Sequence, residues 1–346
     1  MNNLQYDSSV IKEDLNFVKK NLKLQRFGTK YYQKITNKFL SNTGKMLRAS
    51  LTCLFGRYMI IAKKNSRIDK EKKLSKIYKA ATAIELLHLA TLVHDDVIDK
   101  ANKRREEPTL QKYFGNKDAV YLGDTLFTEY LKIIIQIAPD ISFVDYHVRT
   151  MENVLNGELE QDRFKFNSAI TLKQYFQIIK MKTASLFSLS CFSGYWLASG
   201  EKQISDIKGL KESAIINEFG INLGIIFQLI DDLKDFNTKF STGKEKFKDI
   251  KQGIYTLPII LAIKNKNFKE KLVKKSLSIP QIETFFKKNP QYLKKAVSII
   301  NSFISKTKED LQQIKYIKYN EIFPQIKKIV DLLTEQVNLI AKTNEI

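Results

Sequence analysis

Apolar residues recur along most of this chain at the spacing of amphipathic helices. Val18 and Leu22 belong to one such stripe near the start, and Ile329 and Leu333 belong to another near the end. The alternation of apolar and polar positions that is typical of strands is poorly represented throughout. Turns are also sparse, because the 346 residues include only 13 glycines and 6 prolines. The pattern therefore predicts an all-α protein that forms a single domain over residues 1–346.

Several helix boundaries follow from the same pattern. Two helices are expected between Asp7 and Leu40, with a break near Gly28. The basic segment 63–73 contains few apolar residues and is expected to be an exposed loop. From Ile77 onward the apolar spacing predicts one long helix.

Prolines and one glycine add local expectations. Proline cannot continue a helix, because it lacks a backbone N–H, and one helix is expected to start near Pro258. Gly157 lies within a predicted helix and is expected to allow close approach of a second helix. The prolines expected at helix starts or ends are Pro108, Pro139, Pro280, Pro290 and Pro324.

Three aspartates crowd the end of the long helix. Asp95 and Asp99 are one turn apart and share a face, with Asp96 beside them. The negative end of the helix dipole disfavours carboxylates there, so folding alone does not explain the cluster. A hard divalent cation such as Mg²⁺ would reverse this unfavourable balance, because it accepts one or two carboxylates together with substrate phosphates.

A second cluster repeats the spacing later in the chain. Asp231, Asp232 and Asp235 again end an apolar helical run, and Gln228 lies one turn earlier. A single cluster of this kind is a weak signal, since acidic pairs often lie on solvated helix faces. Two clusters on two helices can hold metal ions from opposite sides of a diphosphate, and the pair predicts a diphosphate-binding site.

The two clusters, together with the pair Arg104 and Arg105, resemble the motifs of the trans-isoprenyl diphosphate synthases, the polyprenyl synthetase family. The resemblance covers nearly the whole chain. It implies a helical bundle of the isoprenoid-synthase type around a central active-site cavity, with Mg²⁺ as cofactor and with isopentenyl diphosphate and an allylic diphosphate as substrates. The metal ligands that it implies are Asp95, Asp96, Asp99, Asp231, Asp232 and Asp235.

Basic and polar residues complete the implied site. Taken alone, Lys45 and Arg48 would be surface charges and His88 a buried core group, but their positions match the family. The resemblance assigns isopentenyl diphosphate to Lys45, Arg48, His88 and Arg105. It assigns the allylic diphosphate to Arg104, Lys182, Thr183, Gln228 and Lys244. Of these side chains, it implies direct roles in catalysis for Asp95, Asp99, Arg104, Lys182 and Asp231.

One departure from the family lies near the end of this motif series. A lysine that is common in the family aligns with Ile254, and Lys251 is a candidate replacement. Because of this substitution, the sequence does not show how the lid-like basic segment before Pro258 closes over the site.

The length of the product is implied by the residues just before Asp95. In the family, bulky aromatic side chains at the positions of Ala90 and Thr91 stop elongation early, so small residues imply a deeper tunnel. The expected product is a hexaprenyl to octaprenyl diphosphate. Candidates for the tunnel floor are Leu87, Ile84, Leu122 and Leu126.

The sequence leaves three alternative functions open. The chain could be a farnesyl or geranylgeranyl diphosphate synthase with a shorter product. A class I terpene cyclase would not need the second diphosphate site that Lys45, Arg48 and Arg105 resemble. A noncatalytic prenyltransferase subunit would tend to lose its aspartates, whereas both clusters are intact here.

Charge and composition restrict the partners and the compartment. Lys and Arg total 58 and Asp and Glu total 37, which gives a formal net charge of +21. The lysines are spread over many segments and no nucleic-acid motif is visible, so anionic substrates or a transient contact with a membrane surface are expected. The two cysteines, Cys53 and Cys191, and the absence of a signal peptide favour a soluble cytoplasmic protein. Assembly as a homodimer, or as a heterodimer with a small subunit, is expected.

Overall fold

Helices account for nearly all of the chain that the structure describes, which confirms the predicted all-α fold. The computed structural model describes residues 9–25, 29–42, 44–63, 66–104, 107–201, 203, 206, 211–236, 247–314 and 321–343. Within these ranges the only strands are Lys103–Arg104 and Glu107–Pro108, which pair as a short antiparallel hairpin.

The described helices are numbered in chain order. A 3₁₀ turn, Ser9–Ile11, precedes α1 (Lys12–Leu24), α2 (Lys30–Ser41), α3 (Leu47–Ala62), α4 (Arg67–Ile98), α5 (Leu110–Phe114), α6 (Asn116–Ile137) and α7 (Ile141–Arg163). A π-helical turn, Lys180–Ala184, then joins α8 (Leu172–Ile179) to α9 (Ser185–Ser199). The remaining helices are α10 (Lys211–Lys234), α11 (Lys248–Lys251), α12 (Leu257–Ala262), α13 (Lys266–Val273), α14 (Ile279–Lys288), α15 (Gln291–Gln313) and α16 (Phe323–Thr343).

The centre of the core is α9, which has no exposed face. Every residue from Leu186 to Ser199 is buried, because α3, α4, α7 and α10 pack around this helix. A helix that is apolar on all sides is stable only when it is enclosed in this way. Gly194 brings α9 against α3, where a Cβ would overlap the carbonyl oxygen of Thr52.

The start of α4 differs from the prediction. The segment 63–73 was expected to be a loop, but α4 begins at Arg67 and runs for 32 residues. Ser66 caps the helix, because its hydroxyl oxygen accepts a hydrogen bond from the backbone N–H of Asp69 at 3.3 Å. The cap and the acidic first turn allow a helix of charged residues to form without burial, so the absence of apolar spacing was misleading here.

Other predicted boundaries are confirmed. Helices begin at or next to Pro258, Pro280, Pro290 and Pro324, and Pro139 lies between α6 and α7. The break between α1 and α2 is also present, although Gly28 itself lies outside the described residues.

One described helix, α10, is long and apolar enough to cross a membrane by length and composition alone. However, 61% of its apolar window is buried inside the protein. That extent of burial is typical of a helix that belongs to a protein core.

A buried ion pair attaches the first helix to the rest of the fold. Asp14 on α1 is 1% exposed and accepts hydrogen bonds from Nε and Nη2 of Arg57 at 2.5 and 2.6 Å. The hydroxyl of Tyr78 on α4 donates to the same carboxylate at 2.6 Å. One carboxylate therefore holds α1, α3 and α4 together.

We expect Asp14→Ala to lower the free energy of unfolding by about 3 kcal/mol, because it leaves a largely buried guanidinium without its partner. Urea denaturation followed by circular dichroism measures the change. The control is Glu71→Ala, which removes an exposed pair with Arg67 and should cost less than about 0.5 kcal/mol. Equal losses in the two variants would contradict this account of how α1 is held.

Candidate active site

A cavity of about 500 Å³ receives both aspartate clusters. It lies between the end of α4, the C-terminal half of α7, α8 with the π turn, the end of α10 and the segment 249–256. Residues of the predicted site that line it are Asp95, Asp99, Arg104, Lys182, Gln228, Asp231 and Asp232. The two clusters thus meet across one cavity, as their separate spacings suggested.

The first cluster is shaped by the end of α4. Asp99 caps the helix, and its backbone N–H donates to the carbonyl oxygen of Asp95 at 2.8 Å. Asp96 is 3% exposed and binds Arg104 of the hairpin, which donates from Nε at 2.9 Å and from Nη2 at 2.8 Å. Asp95 and Asp99 therefore line the cavity, whereas Asp96 anchors the hairpin that carries Arg104. Arg105 lies outside the described residues.

The second cluster divides in a similar way. Asp232 is 4% exposed and accepts hydrogen bonds from Nε2 of Gln228 at 2.9 Å and from the Tyr175 hydroxyl. Oε1 of Gln228 accepts a bond from the Thr183 hydroxyl at 2.8 Å. Asp231 is more exposed and pairs with Lys234 at 3.3 Å. Asp235 is partly buried outside the residues that line the cavity.

Helix α7 brings a further carboxylate against the predicted lysine. A Cβ on Gly157 would lie 2.7 Å from the backbone nitrogen of Lys182, so the close approach expected at this glycine is confirmed. The approach places Nζ of Lys182 2.8 Å from Oε2 of Glu158 and 3.5 Å from Oε1 of Gln161. Lys182 lies on the π turn, a widened helical turn that is frequent at functional sites.

Several residues of the cavity were missed by the sequence analysis. Glu158 and Asp162 are one turn apart on α7 and face the same cavity, a spacing that could have been detected. Asp249 and Tyr175 gave no comparable signal, because Asp249 lies in a lysine-rich segment and Tyr175 has no acidic neighbour along its own helix. The fold alone brings them to the site.

Negative charge dominates the described lining of this cavity. The carboxylates that line it are Asp95, Asp99, Glu158, Asp162, Asp231, Asp232 and Asp249, and the cations are Arg104, Lys165 and Lys182. Burial raises the pKa of Asp95 to about 6, with a further contribution from Glu158. Burial also raises the pKa of Asp232 to about 7, although its hydrogen bonds from Tyr175 and Gln228 oppose the shift. A cation bound here would relieve the repulsion among these groups.

The residues fit a metal site that a substrate completes. In the described part of the chain, no three acidic, histidine or cysteine side chains are grouped closely enough to hold an ion by themselves. Mg²⁺ does not need such a cage, because it is usually bound by one or two carboxylates together with substrate phosphates. Asp95, Asp99 and Asp231 provide oxygen ligands from two sides of the cavity.

Lys45, Arg48 and His88, which are predicted to bind isopentenyl diphosphate, are not among the residues that line the aspartate cavity. Lys45 is exposed just before α3, and His88 is partly buried on α4. The guanidinium carbon of Arg48 lies 5.0 Å from the ring centre of Phe187, and burial lowers its pKa to about 10. Nε of Arg48 is buried and has no hydrogen-bond partner among the described residues. Such a donor is costly to leave unpaired and favours an anionic ligand.

A second cavity, of about 390 Å³, lies beside the first cluster. It is bounded by α2, α4 and the hairpin, and Arg104 lines both cavities. Ser41 and Asn42, which shortly precede Lys45, line it as well. Arg104 therefore lies between two spaces that could each receive an anion.

The segment after α10 is described only in part. Lys244 lies outside the described residues, so its predicted contact has no structural counterpart here. Ile254 lines the aspartate cavity, whereas Lys251 lines a neighbouring cavity on the other side of the segment. Lys251 therefore does not occupy the place that a lysine at position 254 would have.

The positions expected to set the product length are packed into the core. Ile84, Leu87 and Ala90 are fully or almost fully buried on α4, as are Leu122 and Leu126 on α6. Helices α4 and α6 contact each other along this stretch, and none of these side chains lines the aspartate cavity. Thr91 is partly buried, and its hydroxyl donates to the carbonyl oxygen of His88 at 2.8 Å.

Comparison with known proteins decides the family. The sequence profile named polyprenyl synthetase matches residues 29–297. The chain belongs to the polyprenyl synthetase family. The predicted resemblance is thereby confirmed, together with the predicted enzyme class of trans-prenyltransferases.

Individual members show the same relationship. This polyprenyl synthetase is 32% identical over 246 residues to heptaprenyl diphosphate synthase component 2 of Bacillus subtilis. The aligned region covers 70% of this chain and 68% of that protein. The crystal structure of a geranylgeranyl pyrophosphate synthase from Lactobacillus brevis superposes with a TM-score of 0.79 at 26% identity and covers 94% of this chain and 96% of that one.

A third comparison includes a bound metal. A polyprenyl synthase from Caulobacter crescentus, solved with calcium and isoprenyl diphosphate, has a TM-score of 0.78 at 22% identity and covers 94% of this chain and 95% of that one. At this identity the likeness shows the fold alone.

The raised pKa of Asp95 predicts a pH-dependent stability. The folded protein retains a proton on Asp95 up to about pH 6, whereas an unfolded chain loses it near pH 4, so this group lowers the free energy of unfolding as the pH rises between these values. Asp95→Asn removes the effect. The stability of the variant relative to the wild type should rise by about 2 kcal/mol from pH 4 to pH 7, after allowance for partial exposure.

Urea denaturation at a series of pH values, in the presence of a chelator, measures this difference. Asp331→Asn, an exposed site on α16, serves as the control and should give a pH profile parallel to the wild type. Parallel profiles for Asp95→Asn as well would show that Asp95 titrates normally in the folded protein.

Proposed function

We propose that this polyprenyl synthetase transfers an allylic group to isopentenyl diphosphate, head to tail, and repeats the reaction to make a long-chain polyprenyl diphosphate. The observation that carries the proposal is the meeting of two aspartate clusters across one cavity that also contains Arg104 and Lys182. Carboxylates for a metal on two sides of the cavity, together with cations for phosphate oxygens, suit a diphosphate leaving group.

The proposal assigns different tasks within each cluster. Asp95, Asp99 and Asp231 would hold Mg²⁺, which when bound stabilises the negative charge that develops on the departing diphosphate. Asp96 would keep Arg104 in place through its paired hydrogen bonds. Asp232 would do the same for Gln228.

Cationic side chains would act on the allylic diphosphate directly. Arg104 and Lys182 offer charged donors to its oxygens as the allylic C–O bond breaks toward a carbocation. Lys182 would exchange its contact with Glu158 for one with the substrate. The apolar wall that includes Phe164, Ile178 and Ile179 would exclude water, which otherwise quenches the cation.

The acceptor substrate would be held from the side of α3. Arg48 has a buried Nε without a hydrogen-bond partner in the described part of the chain, and we propose that it binds isopentenyl diphosphate together with Lys45, His88 and Arg105. The double bond of this substrate would attack the allylic carbocation. The proton released in that step would pass to the departing diphosphate, which gives the elongated product.

The proposed product is in the hexaprenyl to octaprenyl range. Two points support it: the small side chains at Ala90 and Thr91, and the similarity to a heptaprenyl diphosphate synthase component. Because the buried residues below Ala90 fill the space between α4 and α6, a growing chain would have to displace or bypass them.

We also propose that the chain binds a second subunit through an apolar face on α6 and α7. Exposed apolar side chains recur every seven residues on α7, and two more lie on α6; soluble proteins seldom leave such a stripe uncovered. This α6/α7 face consists of Tyr121 and Ile135 on α6 and of Ile141, Val148 and Leu155 on α7. The partner would be a second copy of the chain or a small second subunit, as the word component in the name of the Bacillus subtilis relative suggests.

A cytoplasmic location is part of the same proposal. Cys53 and Cys191 are both buried and free, which suits a reducing compartment. The net charge of +21 would favour brief contact with an anionic membrane when the apolar product leaves.

The proposed activity has a direct test. Purified protein with farnesyl diphosphate, labelled isopentenyl diphosphate and Mg²⁺ should form a product of 30 to 40 carbons, about six to eight isoprene units, by chromatography after dephosphorylation. Asp95→Ala and Asp231→Ala should each lower kcat by about 100-fold or more, because they remove ligands that act on the leaving group. Asp331→Ala, on the surface of α16, should retain wild-type activity. Full activity in Asp95→Ala would exclude the assigned metal site.

The proposed assembly is tested by mass in solution. Multi-angle light scattering on the purified chain should give twice the mass of one chain if the partner is a second copy. Leu155→Glu should reduce that mass to one chain, because it places a charge in the α6/α7 face, whereas Ile68→Glu at the exposed start of α4 should not. A single-chain mass with no prenyltransferase activity would indicate that a different second subunit is required. A dimer that Leu155→Glu leaves intact would exclude this face.

A further inference from the structure

Helix α10 is held at both ends by hydrogen bonds from tyrosines to buried or partly buried carboxylates. Near its start, Glu212 accepts bonds from the hydroxyls of Tyr58 at 2.6 Å and Tyr195 at 3.2 Å. Near its end, Asp232 accepts a bond from the hydroxyl of Tyr175. The first attachment is remote from the aspartate cavity, and the second lies in its wall.

Tyr175 connects three elements of that wall. Its ring belongs to α8 and is 4% exposed, and its hydroxyl donates to Asp232 on α10. Burial and Asp232 raise the pKa of the Tyr175 hydroxyl, and a backbone contact with Leu257, at the start of α12, opposes the shift. The hydroxyl thus lies where the second aspartate cluster meets the start of α12.

The hydroxyl is explained by its bonds and not by packing. A phenylalanine would fill the same space, and a buried hydroxyl is unfavourable unless it is paired. Asp232 has a corresponding need, because its carboxylate is 4% exposed and its described side-chain donors are Tyr175 and Gln228. Loss of the Tyr175 hydroxyl would leave Gln228 as the remaining described donor to a buried carboxylate.

Gln228 transmits this constraint into the site. Its amide nitrogen donates a hydrogen bond to Asp232, and its amide oxygen accepts one from the Thr183 hydroxyl. The orientation of the amide therefore depends on both neighbours. Asp231 immediately precedes Asp232 on the same turn and faces the cavity. A shift of Asp232 would therefore move both a proposed diphosphate ligand and a proposed metal ligand.

We propose that the Tyr175 hydroxyl is a positioning group that fixes Asp232 in the cavity wall and thereby orients Gln228 and Asp231 toward the metal and diphosphate. The inference rests on the proposed function, since it concerns the allylic half of that site. Tyr175 acts through Asp232 and does not itself need to contact the substrate. The acceptor side, around Arg48 and His88, should be independent of it.

The test compares Tyr175→Phe with Tyr58→Phe. Each variant removes a buried tyrosine hydroxyl that donates to a carboxylate of α10, and each carboxylate keeps a second described donor. The two variants should therefore lose similar stability in thermal unfolding. Calorimetric titration with a thio analogue of farnesyl diphosphate that does not ionise, in the presence of Mg²⁺, measures binding without turnover. Tyr175→Phe should raise the dissociation constant about tenfold and raise KM for the allylic substrate, with KM for isopentenyl diphosphate unchanged. Tyr58→Phe should leave all three values at the wild-type level.

A double-mutant cycle with Asp232→Asn identifies the route of the effect. If Tyr175 acts through Asp232, the double variant should bind the analogue no more weakly than Asp232→Asn alone. Additive losses, unchanged binding in Tyr175→Phe, or equal losses of binding in Tyr175→Phe and Tyr58→Phe would each overturn the inference. Failure of the proposed function is distinguishable, because the wild-type protein would then neither bind the analogue nor form product.

Discussion

Repulsion between like charges is the constraint on which this structure depends. Among the described residues, seven carboxylates and three cations line one cavity, and burial raises the pKa of at least Asp95 and Asp232. Such an arrangement stores electrostatic energy that the rest of the fold must offset. It persists because each carboxylate is carried by a helix whose position is fixed by packing elsewhere. The site is thereby prepared for a cation before one arrives.

Close helix contacts supply that fixed frame. Gly157 allows α7 to reach the π turn, and Gly224 allows α10 to reach the same turn, since a Cβ at Gly224 would lie 2.5 Å from the Cα of Ala184. Gly220 makes a similar contact one turn earlier, at Ser188. The three contacts bring α7, α9 and α10 to distances at which their polar side chains can bond across the cavity. Small residues at these points determine the separation of the two walls.

The sequence could identify the clusters but not the task of each aspartate. The spacing of Asp95 and Asp99 defines a helix face directly, so both could be placed on one cavity in advance. Which neighbour turns into the wall depends on partners that are distant in the chain, such as Tyr175 for Asp232. The start of α4 was mispredicted for a related reason, since a capped, charged helix has no apolar spacing to reveal it. Residue spacing predicts which side chains share a face of one helix. It does not predict the contacts that a side chain makes with other helices.

The π turn at Lys180–Ala184 determines how the loss of a residue between α8 and α9 would affect the cavity. Helices α8 and α9 form a continuous rod, and the π turn accommodates more backbone per revolution than the α-helix on either side. Loss of one residue within it would restore a regular helix but rotate everything upstream by about 100° relative to α9. Tyr175 would then leave Asp232, and the upstream part of the turn would no longer meet α7. The π turn thus sets the rotation of α8 relative to α9 about their common axis. This rotation lets α9 fit the enclosed core while α8 directs Tyr175 to the cavity.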